Sequence, residues 1–207
     1  SVDRVSIMTG SSFYNQAYNY INRWNTIISL VDNSKGDGNT KQLAKAEAQI
    51  YRAYDHFLLV NTYAKGYDPQ TAATDGGICI MDKFDLEAQP VKSTVAQVYD
   101  FIQKDIEDAL PYIKEKPVDV YHPSLAFAYA FKAKVHLFKH EIAKAQEAAE
   151  KSLSYNNQIF DLVAYNNFLT NSSGPLMPSK RVTVEGLVRT HGITYSSVEN
   201  TMVLTDV

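Results

Sequence analysis

Two amphipathic stretches restrict this chain to a helical scaffold. They are Ala44 to Gly66, AKAEAQIYRAYDHFLLVNTYAKG, and, 26 residues later, Lys92 to Ile113, KSTVAQVYDFIQKDIEDALPYI. In the first, Leu43, Ala46, Ile50, Ala53, Tyr54, Phe57 and Leu58 recur at the spacing that gathers side chains on one helix face. Its FLLV run is apolar all round, which predicts burial on several sides. In the second, Val95, Val98, Tyr99, Ile102, Ile106, Ala109 and Leu110 form one stripe. Thr94 and Gln97 in front of it read as a capping box, in which each side chain satisfies a backbone donor of the first turn. Tyr51, Tyr54, Phe57 and Tyr63 stand among the small residues Ala48 and Ala53, a composition that suits closely packed helices.

Three more helices frame this pair. Ser12 to Val31 carries Tyr14, Tyr18, Ile21, Ile28 and Trp24, the indole reading as core, and ends in the polar loop VDNSKGDGNT. The fourth helix, PSLAFAYAFKAKVHLFK, is expected to start with Pro123 at its first position, where a missing donor costs nothing. Glu141 to Tyr155 is the fifth. Ala133, Ala145 and Ser152 lie 12 and then 7 residues apart, the spacing of small residues where paired tetratricopeptide helices cross. Between the two strongest helices, Ala64 to Lys92 reads as irregular, and a loop of that length has a job or covers something. Phe160 to Ser179 has loop composition, and Arg181 to Val207 alternates enough for one or two short strands. The expected fold is all-α: tetratricopeptide-like helical hairpins with long irregular loops and a short β element near the C-terminus. It forms one domain over 1–207, with a helical core at about 12–155 and a loop-rich tail at 156–207.

Composition removes several classes of function. A net charge of −3 leaves no basic field to engage phosphates, so no nucleic-acid partner is expected. The lone Cys79 excludes an internal disulfide and a cysteine zinc cluster, and reads as a small buried hydrophobe. The longest apolar run, Leu125 to Phe131, is seven residues, against the roughly 20 a spanning helix needs. SVDRVSIMTG has no basic start, apolar stretch and small-residue cleavage site, so it does not read as a signal peptide. His136 and His140 are four apart, but Leu137 stands where a zincin has glutamate, so both read as packing or surface. Asp32, Asn33 and Asp37 lack EF-hand spacing and read as a solvated turn. Asp100 and Lys104 are expected to pair on the surface, and Asp105, Glu107 and Asp108 to face solvent. No catalytic residue, metal site or cofactor is expected. Fourteen Tyr and nine Phe suit helix packing and equally a wet binding surface. Within the irregular loop, Tyr67, Asp68 and Asp75 are the candidate ligand contacts, because a sugar ring stacks on an aromatic plane while its hydroxyls seek polar groups.

The second helix resembles the signature of SusD/RagB-type outer-membrane nutrient-binding proteins through Glu47, Ala48, Arg52, Ala53, Phe57, Leu59, Val60, Tyr63 and Gly66. The third resembles the family's next motif through Thr94, Val95, Val98, Tyr99, Ile102, Asp105, Ile106, Ala109, Leu110 and Pro111. Tyr18, Ile21, Arg23 and Asn25 in the first helix, and Ala133 to Phe138 in the fourth, are similar too. The chain departs from the family pattern at Lys65, at Asp75 to Cys79 and at His122-Pro123, which affects loop geometry. It resembles roughly the tetratricopeptide-like first half of such proteins.

The resemblance implies a non-enzymatic lipoprotein on the outer face of the outer membrane. Such a protein binds a glycan, or sometimes a peptide, and covers a TonB-dependent transporter. The lipid-bearing cysteine is then expected upstream of Ser1. Ligand contacts are expected also in Met8 to Ser12, with Thr9 the chosen residue. The competing reading is a tetratricopeptide adaptor that holds a peptide, and a helical hydrolase is a third.

Overall fold

Burying the stripes decides where the helices lie. The computed structural model describes residues 12–85, 91–158, 193–196 and 201–204. Among these residues five α-helices follow in order: α1 (Ser12–Leu30), α2 (Gly38–Tyr63), α3 (Val95–Ala109), α4 (Leu125–Phe138) and α5 (Ile142–Tyr155). Strands β1 (Gly76–Cys79) and β2 (Lys92–Thr94) pair antiparallel between α2 and α3. A hairpin of β3 (Ile193–Ser196) and β4 (Thr201–Leu204) supplies the expected β element near the C-terminus. Helix α2 is central, with α1, α3 and α4 all packed against it, and α4 and α5 form the tightest hairpin. The mostly helical fold is as the sequence predicts.

Local signals set the helix starts. Asp37 caps α2, its side chain accepting from the Thr40 amide at 3.0 Å, so α2 begins three residues before the expected Lys41. The capping box is present on α3, with Thr94 Oγ1 accepting from the Gln97 amide at 3.2 Å and Gln97 Oε1 accepting from the Thr94 amide at 2.9 Å. At α4 the expectation shifts by two residues. Ser124 is the cap, accepting from the Phe127 amide at 3.1 Å, and Pro123 lies outside the helix. The small residues of the last hairpin serve as anticipated: Ala133 and Ala145 are buried, and Ser152 Oγ donates to the Ala126 carbonyl across the crossing at 2.8 Å.

The stripes meet in one core. Ile21 of α1, Ile50, Ala53, Phe57, Leu59 and Val60 of α2, Val95, Val98, Tyr99, Ile102 and Ile106 of α3, and Phe131 and Val135 of α4 are buried together. At its centre is a polar network. Arg52 Nε and Nη2 donate to the two carboxylate oxygens of Asp105 at 2.8 and 2.6 Å. Arg52 Nη1 donates to Asn25 Oδ1 at 2.7 Å and to the Asp82 carbonyl at 2.6 Å. Asn25 Nδ2 donates in turn to the carbonyls of Met81 and Lys83. The guanidinium also lies 4.9 Å from the centre of the Phe101 ring. Asp105 is therefore not solvent-facing, as its charged neighbours Glu107 and Asp108 are; it is 2% exposed. The expected Asp100–Lys104 pair is also replaced, since Lys104 pairs with Asp108 while Asp100 meets Lys139 at 3.3 Å.

His56 extends the network. Its Nδ1 donates to the Arg52 carbonyl at 2.8 Å, and its Nε2 accepts from the Met81 amide at 3.3 Å. That arrangement requires the neutral ring, and burial pushes its pKa down to about 4.

The strands β1 and β2 correct the reading of Ala64 to Lys92 as irregular throughout. Gly77 is required there, because a Cβ would meet the Ser93 and Thr94 backbone at 2.9 to 3.0 Å. A strand of two glycines, one isoleucine and one cysteine has no alternation to reveal it.

Removing one partner of the buried pair leaves the other charged and uncompensated, so Asp105→Ala should destabilise the fold by about 3–5 kcal/mol. The double variant Arg52→Met/Asp105→Leu should cost clearly less than the sum of the two single changes, as read by urea unfolding. His56 adds a pH dependence. Its folded pKa of about 4 lies below the ordinary 6.5, so between those values the unfolded chain binds a proton that the folded chain refuses. Its contribution is complete above pH 6.5 and is lost as pH falls toward 4. Melting temperatures over that range should drop more steeply for the parent than for His56→Gln.

Candidate functional site

The segment from Ala64 to Asp75 is built to hold its shape. The Asp68 carbonyl accepts from the amides of Thr71 and Ala72, and its Oδ1 accepts from the Gln70 amide at 2.9 Å, winding the chain into a tight turn. The turn then serves α3. The Ala72 and Asp75 carbonyls accept from the amides of Ala96 and Val95 at 2.9 and 3.0 Å, satisfying donors that a helix start cannot pair internally. Asp75 Oδ1 receives Lys65 Nζ and Oδ2 receives the Thr71 hydroxyl, both at 2.6 Å. These hydrogen bonds hold its carboxyl below the ordinary aspartate range.

Of the candidate ligand residues, the structure thus commits both Asp75 oxygens to the loop itself. The Asp68 side chain stays exposed at the turn. Tyr67 is half-buried and lines an open groove of about 620 Å³ with Asn61, Lys65, Phe138 and His140. Its ring packs edge-on against Tyr99, centres 5.0 Å apart, and Lys139 Nζ sits 5.5 Å from its centre. Lys139 is itself buried, donating to Gln103 Oε1 at 2.6 Å. Tyr67 is therefore oriented by α3 and by the α4–α5 turn. Thr9 lies outside the described residues.

The histidine pair separates. Buried His136 donates from Nδ1 to Glu141 Oε2 at 2.6 Å, whereas His140 occupies the α4–α5 turn at φ 62°. Among the described residues, no group of three or more His, Cys, Asp or Glu side chains is placed to hold a metal ion. Trp24 sits at the core's edge, stacked on Tyr51 at 4.9 Å, its indole N–H donating to Asp55 Oδ2 at 2.8 Å. Cys79 is only half-buried, where full burial was expected.

A second groove, of about 480 Å³, had no counterpart in the sequence reading. It runs between α1 and the end of β1, lined by Tyr14, Asn15, Tyr18, Asn19, Cys79 and Met81. Tyr18 ties its α1 side to its strand side by donating its hydroxyl to the Cys79 carbonyl at 2.9 Å.

Comparison with known proteins accounts for this frame. Residues 3–137 match the SusD-like family model described as "Starch-binding associating with outer membrane". A SusD superfamily protein from Bacteroides thetaiotaomicron superposes with a TM-score of 0.68 at 25% identity, over 74% of this chain and 35% of its own. One from Bacteroides vulgatus gives 0.69 at 21% identity, over 75% and 37%. A laminarin-binding SusD-like protein gives 0.64 at 18% identity, over 78% and 34%. The chain thus spans about a third of the length of these structures. No curated protein sequence matched. The buried Arg52–Asp105 pair joins the two motifs that carry the resemblance, and with a family match over residues 3–137 the chain belongs to the SusD-like family.

Proposed function

We propose that the protein is a non-enzymatic, cell-surface glycan-binding component that works with a TonB-dependent outer-membrane transporter. Membership of a family described as starch-binding and outer-membrane-associated supports this most directly. The laminarin-binding relative supports glycan as the ligand class. No described helix is long and apolar enough to cross a membrane. Attachment through a lipid is part of the same proposal, and rests on the family resemblance. We place the ligand at the loop after α2. Tyr67 offers an aromatic surface to a sugar ring, and Asp68 offers a carboxylate to its hydroxyls. Asp75 holds the loop that presents them, and Thr9 belongs to the same proposed set.

The geometry suits binding. A binding surface needs groups whose positions are set beforehand, because ordering them on contact costs affinity. Tyr67 meets that need through Tyr99 and Lys139. Aromatic packing of this kind is worth about 0.5–1.5 kcal/mol beyond buried area. Isothermal titration against laminari- and malto-oligosaccharides should show saturable binding, weakened up to about tenfold by Tyr67→Ala, equivalent to about 1.4 kcal/mol. Absence of binding to every glycan, alongside tight binding of a peptide, would return the reading to a tetratricopeptide adaptor. Co-purification with an outer-membrane barrel from native membranes tests the transporter partner.

A further inference from the structure

The groove on α1 carries chemistry that the Tyr67 surface does not. Asn15 and Asn19 stand one helical turn apart, so their side chains leave the same face about 6 Å apart along the axis. Both are exposed, and neither amide has a hydrogen-bond partner among the described residues. The rest of the lining is Tyr14, Tyr18, Cys79 and Met81. Tyr14 and Tyr18 are also one turn apart, with ring centres at 4.9 Å, and Tyr14 packs edge-on against Tyr63 at 5.1 Å. An amide row therefore runs beside an aromatic row that is already braced.

We propose that this groove is a second saccharide subsite, selective for neutral oligosaccharides, in which Asn15 and Asn19 read hydroxyl pairs and Tyr14 forms the apolar wall. The proposal rests on the glycan-binding reading above and adds a location and a ligand class to it.

Three features define the class. A carboxamide offers a donor and an acceptor side by side, matching adjacent hydroxyls, each of which can donate and accept. An apolar occupant would bury those amides unpaired, at a cost of about 1–3 kcal/mol each. Among the described residues no Lys, Arg, His, Asp or Glu lines the groove, so an anionic sugar would lose its water there without gaining a countercharge from them. Burial also keeps the Tyr18 phenol in its neutral form. The Tyr67 groove differs, since Lys65 and His140 line it.

Cys79, the single cysteine of the chain, lies in the lining and reports on occupancy. Maltohexaose and laminarihexaose should slow modification of Cys79 by a small maleimide in a saturable way, and a uronic-acid oligosaccharide should not. Asn15→Ala/Asn19→Ala should raise the half-protecting concentration at least tenfold while leaving the melting temperature unchanged, because the amides hold no fold contact among the described residues. Tyr67→Ala should leave protection intact. The proposal is overturned if neutral sugars bind by calorimetry without protecting Cys79, or if protection survives loss of both amides. Glycan binding by calorimetry with no protection leaves the glycan reading standing and removes only this subsite, whereas no glycan binding by either method removes both.

Discussion

Everything in this fold leans on the ion pair between Arg52 and Asp105. Helices α2 and α3 bury it within the apolar core, where a guanidinium lacking its carboxylate would be far costlier than it is in water. Two hydrogen bonds to one carboxylate fix the rotation of α2 relative to α3, because a bidentate pair tolerates little angular error. The donors left over reach Asn25 on α1 and the Asp82 carbonyl. One side chain thus sets the places of three helices and of the segment after β1. No buried side-chain polar atom among the described residues lacks a partner, so the network gives specificity without leaving a desolvated group behind.

The loop surfaces follow from that frame. His56 and Asn25 hold the backbone at Met81 to Lys83, which places the strand before it against α1 and forms the second groove. On the other side, the turn after Asp68 lends two carbonyls to the start of α3 and so stays close to the core. Both grooves lie where chain between the helices is anchored on them by hydrogen bonds. This is the usual way a rigid scaffold presents adaptable chemistry.

How much of this was legible depended on whether the signal was local. The capping box at Thr94, the stripe of α3 and the alanine crossing of the last hairpin are short-range patterns, and each is found as read. The stripe of α2 is found in part, since Leu43 and Leu58 stay half-buried while Leu59 and Val60 enter the core. Asp105 misled because it sits beside Glu107 and Asp108, and charge alone does not say which of three neighbours turns inward. Its position on the stripe of Ile102 and Ile106 carried that information, together with its place in the family motif. The pairing of β1 with β2 escaped because its four residues offer no period, and only proximity to Lys92–Thr94 makes them a strand. Among the site residues, Tyr67 and Asp68 were picked from composition, whereas the engagement of Asp75 with Lys65 and Thr71 depends on a turn no composition specifies.

The sequence by itself determined the helical class, the five helices among the described residues and the family relationship, since periodicity and motif spacing are properties of the chain read in order. Tertiary structure alone decided which charged residue is buried and where the strand lies. It also brought Asn15 and Asn19 beside Cys79 and Met81, at least 60 residues away. The physical reason is range. Helix propensity and capping act within a turn, whereas desolvation, ion pairing and groove shape are fixed only when distant segments exclude water from one another.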